Sequence, residues 1–230
     1  TSETIALGGD INGSSTILLQ PYADSTTIGI GGTDATGAYN LTATEIGYLQ
    51  NSFSGITIGG SSGTGAIEIK AVTFKAPVTI RTNTTGGGTI TVAEAIACTG
   101  DASFEIIGAN ATTNLNANIV TEGESITIND SVVLGAATIT LNTTDDGQTA
   151  GANIEITGTT NSTGGARNLT LNAGTAGEIT FGGAVGNSAV LDTITITNSN
   201  GTTFSGSVEA ATVEITDTED GETILFQDDV

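Results

Sequence analysis

The chain has 230 residues, including 33 Gly but no His, Met or Trp, and its 4 Lys and Arg against 25 Asp and Glu give a formal charge of −21. With so few cations to displace counterions from phosphates, nucleic-acid binding is excluded as a main activity, and an anionic membrane surface would repel the chain. One Cys and no His exclude a disulfide framework, a Cys/His zinc site and every His-dependent triad. Charged residues are only 13% of the chain while 37% is hydrophobic, at a mean hydropathy of +0.14. Disordered acidic chains are charge-rich and poor in β-branched residues. This one is dense in Ile, Val and Thr, the residues that suit a pleated, half-buried surface, so it reads as a folded β protein.

The first 40 residues contain strands at 16–19 and 26–30 and read as an irregular β segment or cap. The opening TSETIALGGD has neither a basic nor an apolar leader region. No apolar run along the chain approaches the ~18 residues of a spanning helix. The next segment, LTATEIGYLQNSFSG, departs from the β pattern. Thr42 is a fair N-cap, Glu45 three residues on completes a capping box, and Leu41, Ile46, Leu49 and Phe53 share one helical face. A short helix or turn is expected at 43–50, tucked against the remainder.

From residue 56 onward, short alternating runs recur: Ile56-Thr57-Ile58, Ile67-Glu68-Ile69, Ile90-Thr91-Val92, Ile126-Thr127-Ile128, Ile154-Glu155-Ile156, Leu169-Thr170-Leu171, Ile194-Thr195-Ile196 and Val213-Glu214-Ile215. Each puts two aliphatics on one side and a polar residue on the other, the period-2 mark of a strand with one buried face. Gly, Asn, Asp and Thr clusters between them read as turns. A repeat is superimposed on this alternation. Phe181 precedes Val185, Phe204 precedes Val208 and Phe226 precedes Val230, with the Phe positions 23 and 22 residues apart. The frame is also read in Phe74/Val78 and, degenerately, in Val92/Ile96 and Ile128/Val132. VVLGAATITLNTTDDGQ (132–148) parallels VEAATVEITDTEDGE (208–222). A unit of about 22 residues with two or three short strands is one coil of a parallel β-helix. The expected fold is therefore all-β, a right-handed parallel β-helix over 41–230. About ten coils at ~4.8 Å would give a rod roughly 50 Å long. A β-sandwich explains the alternation but not the 22-residue echo.

Leu41-Thr42-Ala43-Thr44-Glu45-Ile46, then Ile56-Thr57-Ile58-Gly59 and Ser62-Gly63-Thr64-Gly65, together with ITFGGAVGNSAVLDTITITNSNGTTFSGSV (179–208), resemble the repeats of large bacterial haemagglutinin-like and autotransporter-type surface adhesins. That resemblance covers about 41–230. It implies a secreted β-solenoid and, by association only, an adhesin or surface-filament role.

Carboxylates are the sharpest candidates for chemistry. Asp145-Asp146, Asp217 with Glu219-Asp220, and Asp228-Asp229 have the composition of a paired-acid glycosidase site. Their neighbours are turn glycines, where Asp ordinarily caps backbone N–H groups, and stacking aromatics are scarce. A lyase with an Arg base would have to use Arg81 or Arg167, neither of which is near an acid cluster in sequence. Gly8-Gly9-Asp10 and Gly31-Gly32-Thr33-Asp34 have only a faint likeness to a calcium-binding Gly/Asp repeat. Thr89/Thr91, Thr138/Thr140 and Thr195/Thr197 form Thr-x-Thr pairs that could order water on a flat face, though β-propensity explains them equally. Asn-x-Ser/Thr acceptors, among them Asn142, Asn161, Asn168 and Asn200, follow from an Asn- and Thr-rich chain. Cys98 is expected inside the core.

No catalytic, cofactor or metal residue is singled out, and calcium stays the one cofactor weighed. The expected function is a non-enzymatic extracellular structural or adhesive module, a rigid rod or fibre segment at the cell surface. Expected partners are further coils of the same protein or identical subunits in a filament, with a cell-surface or glycan partner as another candidate. The rival functions are a polysaccharide-degrading β-helix enzyme using paired carboxylates and a calcium-binding surface-layer component.

Overall fold

A computed structural model describes residues 5–33, 36–219 and 221–229. The chain is a parallel β-solenoid. Among the described residues, twenty-one strands, one short helix and one 3-10 turn are arranged so that every pairing between named strands is parallel. Parallel neighbours cannot be joined by a hairpin, so the chain must travel around the molecule before it meets itself again.

The pairings define three ladders, visited in a fixed order from Gly55 onward. The first contains Thr16–Leu19, Gly55–Ile58, Val78–Arg81, the start of Phe104–Leu115, the start of Ile126–Leu134, Ile154–Ile156, Ile179–Phe181, Thr202–Phe204 and Ile224–Phe226. Nine such rungs at ~4.8 Å extend about 40 Å. The second contains Tyr39–Leu41, Ile28–Ile30, Ile67–Ile69, Ile90–Val92, the second halves of the two long strands, and Thr160–Ser162. It continues through bridges at Val185 and Val208. The third runs Val72–Phe74, Ile96–Cys98, Ile119–Thr121, Thr138–Asn142, Asn168–Asn172, Leu191–Asn198 and Ala210–Ile215. The strands Phe104–Leu115 and Ile126–Leu134 turn the corner between the first two ladders without breaking, with a register irregularity between Ile107 and Thr112.

The alternation read from sequence sets which side chains enter the core. In Ile126–Leu134 every second residue is buried. Along the first ladder, Leu19, Ile58, Ile80, Ile106, Ile128, Ile156, Phe181, Phe204 and Phe226 are successive register partners. The three Phe rings stack face to face, with centroids 4.9 and 4.8 Å apart. Ile128 and Val132 stand in the Phe181 and Val185 ladders, as the degenerate frame implies. Two other readings of the frame need correction. Phe74 lies on the third ladder, paired with Cys98, while Val78 is on the first. Val92 lies on the second ladder and Ile96 on the third. Three residues are what it takes to turn a tight corner, so the same spacing recurs at different corners of the coil.

The coils are unequal in length. Phe204 pairs with Phe226, but Ile126 pairs with Ile154 and Ile139 with Leu169. Longer coils carry their excess in corner loops, such as the one holding the 3-10 turn Asp145–Gly147. The Thr143 hydroxyl ties that loop at its base, accepting from Ala152 N (3.0 Å) and donating to Ala152 O (2.9 Å). The correspondence of 132–148 with 208–222 holds in space, because Ile139 and Val213 share one ladder through Leu169 and Ile194.

Asparagines brace one coil to the next. Asn118 Oδ1 accepts from Thr140 N, Asn153 Oδ1 from Glu178 N, and Asn168 Oδ1 from Thr193 N. Asn161 Oδ1 accepts from both Ser188 N and Ala189 N. Each side-chain carbonyl satisfies a backbone donor: Thr140 and Thr193 lie within strands, and Glu178, Ser188 and Ala189 lie in corners just before strands. The composition reads as turns; the structure gives these Asn a second task as inter-coil brackets.

At the N-terminal end, strands 16–19 and 28–30 enter the first and second ladders directly. The helix Ala43–Gly47 forms as expected but ends one turn early. Thr42 Oγ1 accepts from Glu45 N while Glu45 Oε2 accepts from Thr42 N, completing the capping box. Ile46 is its buried residue. Burial pushes the Glu45 carboxyl upward, but the donors of Thr42 and Leu7 outweigh it and hold the group below its ordinary value.

Candidate functional site

The outward positions follow from the same ladders. On the first ladder the outer column is Thr57, Thr79, Glu105, Thr127, Glu155, Thr180 and Thr203. Glu105 is held in place by Thr79 Oγ1 (3.0 Å) and Asn129 Nδ2 (3.2 Å). On the third ladder, Thr140, Thr170, Thr195 and Glu214 form one column and Thr193 pairs with Thr212 beside it. Thr140 and Thr195, from the Thr138/Thr140 and Thr195/Thr197 pairs, therefore share a face, while Thr197 falls at the register irregularity opposite Leu171 and Asn172, and Thr91 belongs to the second ladder. The Thr-x-Thr pairs do not form one array.

The acid clusters do not converge. Asp145 and Asp146 are exposed in their corner turn, and Asp146 takes the left-handed conformation (φ 52°) that Asp tolerates in turns. Asp217, near Asn198 Nδ2, occupies the corner after the third ladder, as Asp145 does. The rungs Thr138–Asn142, Asn168–Asn172, Leu191–Asn198 and Ala210–Ile215 place the two clusters three coils apart. That is about 14 Å along the axis, beyond the ~5–9.5 Å that paired glycosidase carboxylates require. Asp228 and Asp229 are exposed beyond the last rung, and Asp220 lies outside the described residues. Among the described residues, no three Asp, Glu or Cys side chains are grouped to hold a metal. Asp10 Oδ1 accepts from Gln50 Nε2 (3.0 Å), and Asp34 lies outside the described residues. Arg167 Nε donates to Thr163 O (2.9 Å).

Aromatic side chains are mostly internal. Phe53, Phe74, Phe104, Phe181, Phe204 and Tyr39 are buried, whereas Tyr22 is 97% exposed on a corner loop. Cys98 is buried, and desolvation pushes its thiol up to about 12.

Two concavities stand out. One is an open groove of about 490 Å³ on the third ladder, floored by Thr73, Ala97 and Val120 and walled by Ala43 and Gly47 of the helix. Lys75 Nζ closes one side by donating to Gly47 O at 2.7 Å. The other lies under the first corner, where the loops of three successive coils meet. It is lined by Gln20, Asp24, Gly60, Gly65, Arg81 and Thr82, and leaves about 20 Å³ for the centre of a water-sized sphere. Here Arg81 Nε and Thr82 Oγ1 are buried without a hydrogen-bond partner. The sequence marks Arg81 only as one of four cations; the cavity arises from loops 20–27, 59–66 and 82–89 stacking, which no local pattern announces.

No family model matches the chain, and no curated protein or solved structure is similar to it. No described helix is long and apolar enough to cross a membrane.

Proposed function

We propose that this chain is a non-enzymatic structural module, a rigid rod segment of an extracellular surface fibre with an adhesive role. The observation that carries this reading is the unbroken first ladder, nine parallel rungs whose inward column runs from Leu19 to the stacked Phe226. A solenoid whose coils each contact only their neighbours, over a continuous aliphatic and aromatic core, resists bending and holds its ends at a set distance. The outward Thr, Asn and acidic columns favour solvation over catalysis, and the separation of the acid clusters weighs against paired-carboxylate hydrolysis. The extracellular setting rests on composition and on the likeness to adhesin repeats.

Solution scattering on the purified chain tests the rod: a constant cross-section over a long axis near 40 Å is expected. Incubation with cell-wall and capsular glycans tests the rival. Oligosaccharide release abolished by Asp146→Asn or Asp217→Asn would replace the spacer with an enzyme. Retention of the chain on a glycan surface without cleavage would identify what the fibre adheres to.

A further inference from the structure

The N-terminal end of the second ladder carries two oxygen atoms that the fold leaves unanswered. Asn40, Gly29 and Glu68 are register neighbours on its strands Tyr39–Leu41, Ile28–Ile30 and Ile67–Ile69. The residues preceding them, Tyr39, Ile28 and Ile67, and those following, Leu41, Ile30 and Ile69, are all buried in the core. Strand alternation therefore puts Asn40 and Glu68 on the same outer face, in one column, with Gly29 between them. Glycine adds no side chain to that column, so the two side chains flank bare backbone. Their Cα atoms are two rungs, about 10 Å, apart, a span that Asn and Glu bridge through one ion by leaning over Gly29. The column is covered at this point. Gly29 is buried, and the chain returning through Gly37 packs on it so closely that a Cβ there would lie 2.4 Å from Gly29 N.

Asn40 Oδ1 and Glu68 Oε2 are both shut off from water, and neither accepts a hydrogen bond. Lys70, the next outward residue of its strand, gives Glu68 Oε2 none. A buried acceptor without a partner is costly, and more so on a carboxylate. Two acceptors flanking one bare position cannot satisfy each other; a positive group between them satisfies both. Carboxylate and amide oxygens are the hard donors that Ca²⁺ takes, with water and backbone carbonyls filling the rest of its shell. We propose that Asn40 Oδ1 and Glu68 Oε2 hold one cation of the calcium class over Gly29. The ion ties Tyr39–Leu41, the end rung of this ladder among the described residues, to Ile67–Ile69 two rungs away. With a single carboxylate the site is weak, its Kd on the order of 10⁻⁴–10⁻³ M. Turning the Asn40 amide over gives the competing arrangement, an Nδ2 hydrogen bond to Glu68. The two arrangements respond oppositely to a second carboxylate at position 40.

Calorimetric titration of the full chain with calcium chloride, at physiological salt, should show one saturable site above the diffuse binding of a −21 surface. Crystals grown in calcium should show one long-wavelength anomalous peak between Asn40 and Glu68. Glu68→Gln, which keeps the shape, should remove both. Asn40→Asp should tighten binding about tenfold, since calcium affinity follows the number of charged ligands. If an amide hydrogen bond joins the pair instead, Asn40→Asp lowers the melting temperature equally with and without calcium, and the proposal fails. Calcium should also slow amide exchange at Tyr39, which donates to Thr27 O, relative to Ile179 in the distant coils. If Asn40→Asp does not fold, Glu68→Gln and the exchange comparison carry the test. A calcium response that survives Glu68→Gln is diffuse counter-ion binding, an adventitious ion only, and overturns the site. So does the absence of the anomalous peak.

Discussion

The ring of Phe204 lies flat on that of Phe226, centroids 4.8 Å apart and planes within 2° of parallel. Phe181 covers its other face at 4.9 Å. This spacing is that of neighbouring strands, so the rings stack because the backbone ladder places them one above the other. Phe204 is fully buried between its two neighbours. Phe204→Ala should cost about 3–5 kcal/mol, the range for a large buried aromatic replaced by a small side chain. Phe226, with one ring face uncovered by another Phe, should cost less. Urea unfolding of the two variants provides the comparison; equal losses would mean that covering the second face of the ring contributes nothing.

Asn161 Oδ1 accepts from Ser188 N at 2.9 Å and from Ala189 N at 3.1 Å, bracing consecutive coils. Asn161→Ala should destabilise by about 0.5–1.5 kcal/mol, the net worth of an ordinary hydrogen bond whose exposed donors water can then take up. Amide exchange at Ala189 should accelerate more than at core amides such as Ile179, whose ladder bonds are untouched.

Asp130 is a buried carboxylate, pointing inward at the corner between the first and second ladders. Burial pushes its pKa up, partly offset by Thr113 Oγ1 (2.9 Å) and Ser131 N (2.8 Å). A carboxyl with a raised folded-state pKa binds its proton more tightly folded than unfolded. Its contribution to stability is therefore fully present below the unfolded pKa, near 4, and is lost as pH rises through the folded value. Asp130→Asn keeps the shape and an acceptor for Ser131 N. The variant should melt above the parent at neutral pH, with the gap closing as the solution is acidified. A gap independent of pH would show that the charge at Asp130 is not what is relieved.

Cys98 sits between Phe74 and Thr121 on the third ladder. With its thiol pushed up to about 12 by burial, almost no thiolate exists at pH 8, and the thiolate is the nucleophile. Native protein should leave a thiol reagent unconsumed over hours, while protein in urea should consume one equivalent within the mixing experiment. Rapid labelling of the native chain would mean the third ladder opens locally around Cys98.

Much of this molecule is legible in its sequence. Alternation in runs such as Ile126-Thr127-Ile128 determines which side chains face inward, because the strand period is two whatever the surroundings. The spacing of Phe181, Phe204 and Phe226 determines that those coils stack in register, since equal coil lengths bring like residues to like positions. Thr42 and Glu45 announce their helix because a capping box is satisfied within four residues. The tertiary structure alone decided which ladder each strand joins. Corner loops of unequal length place Phe74 on the third ladder and Ile128 on the first, and no period survives those insertions. It also decided which polar residues meet. Asn161 reaches Ser188, Asp130 reaches Thr113, and Arg81 and Thr82 are closed over by loops from two earlier coils. These contacts join residues a coil or more apart in the chain, so the local patterns that encode strands and caps are blind to them.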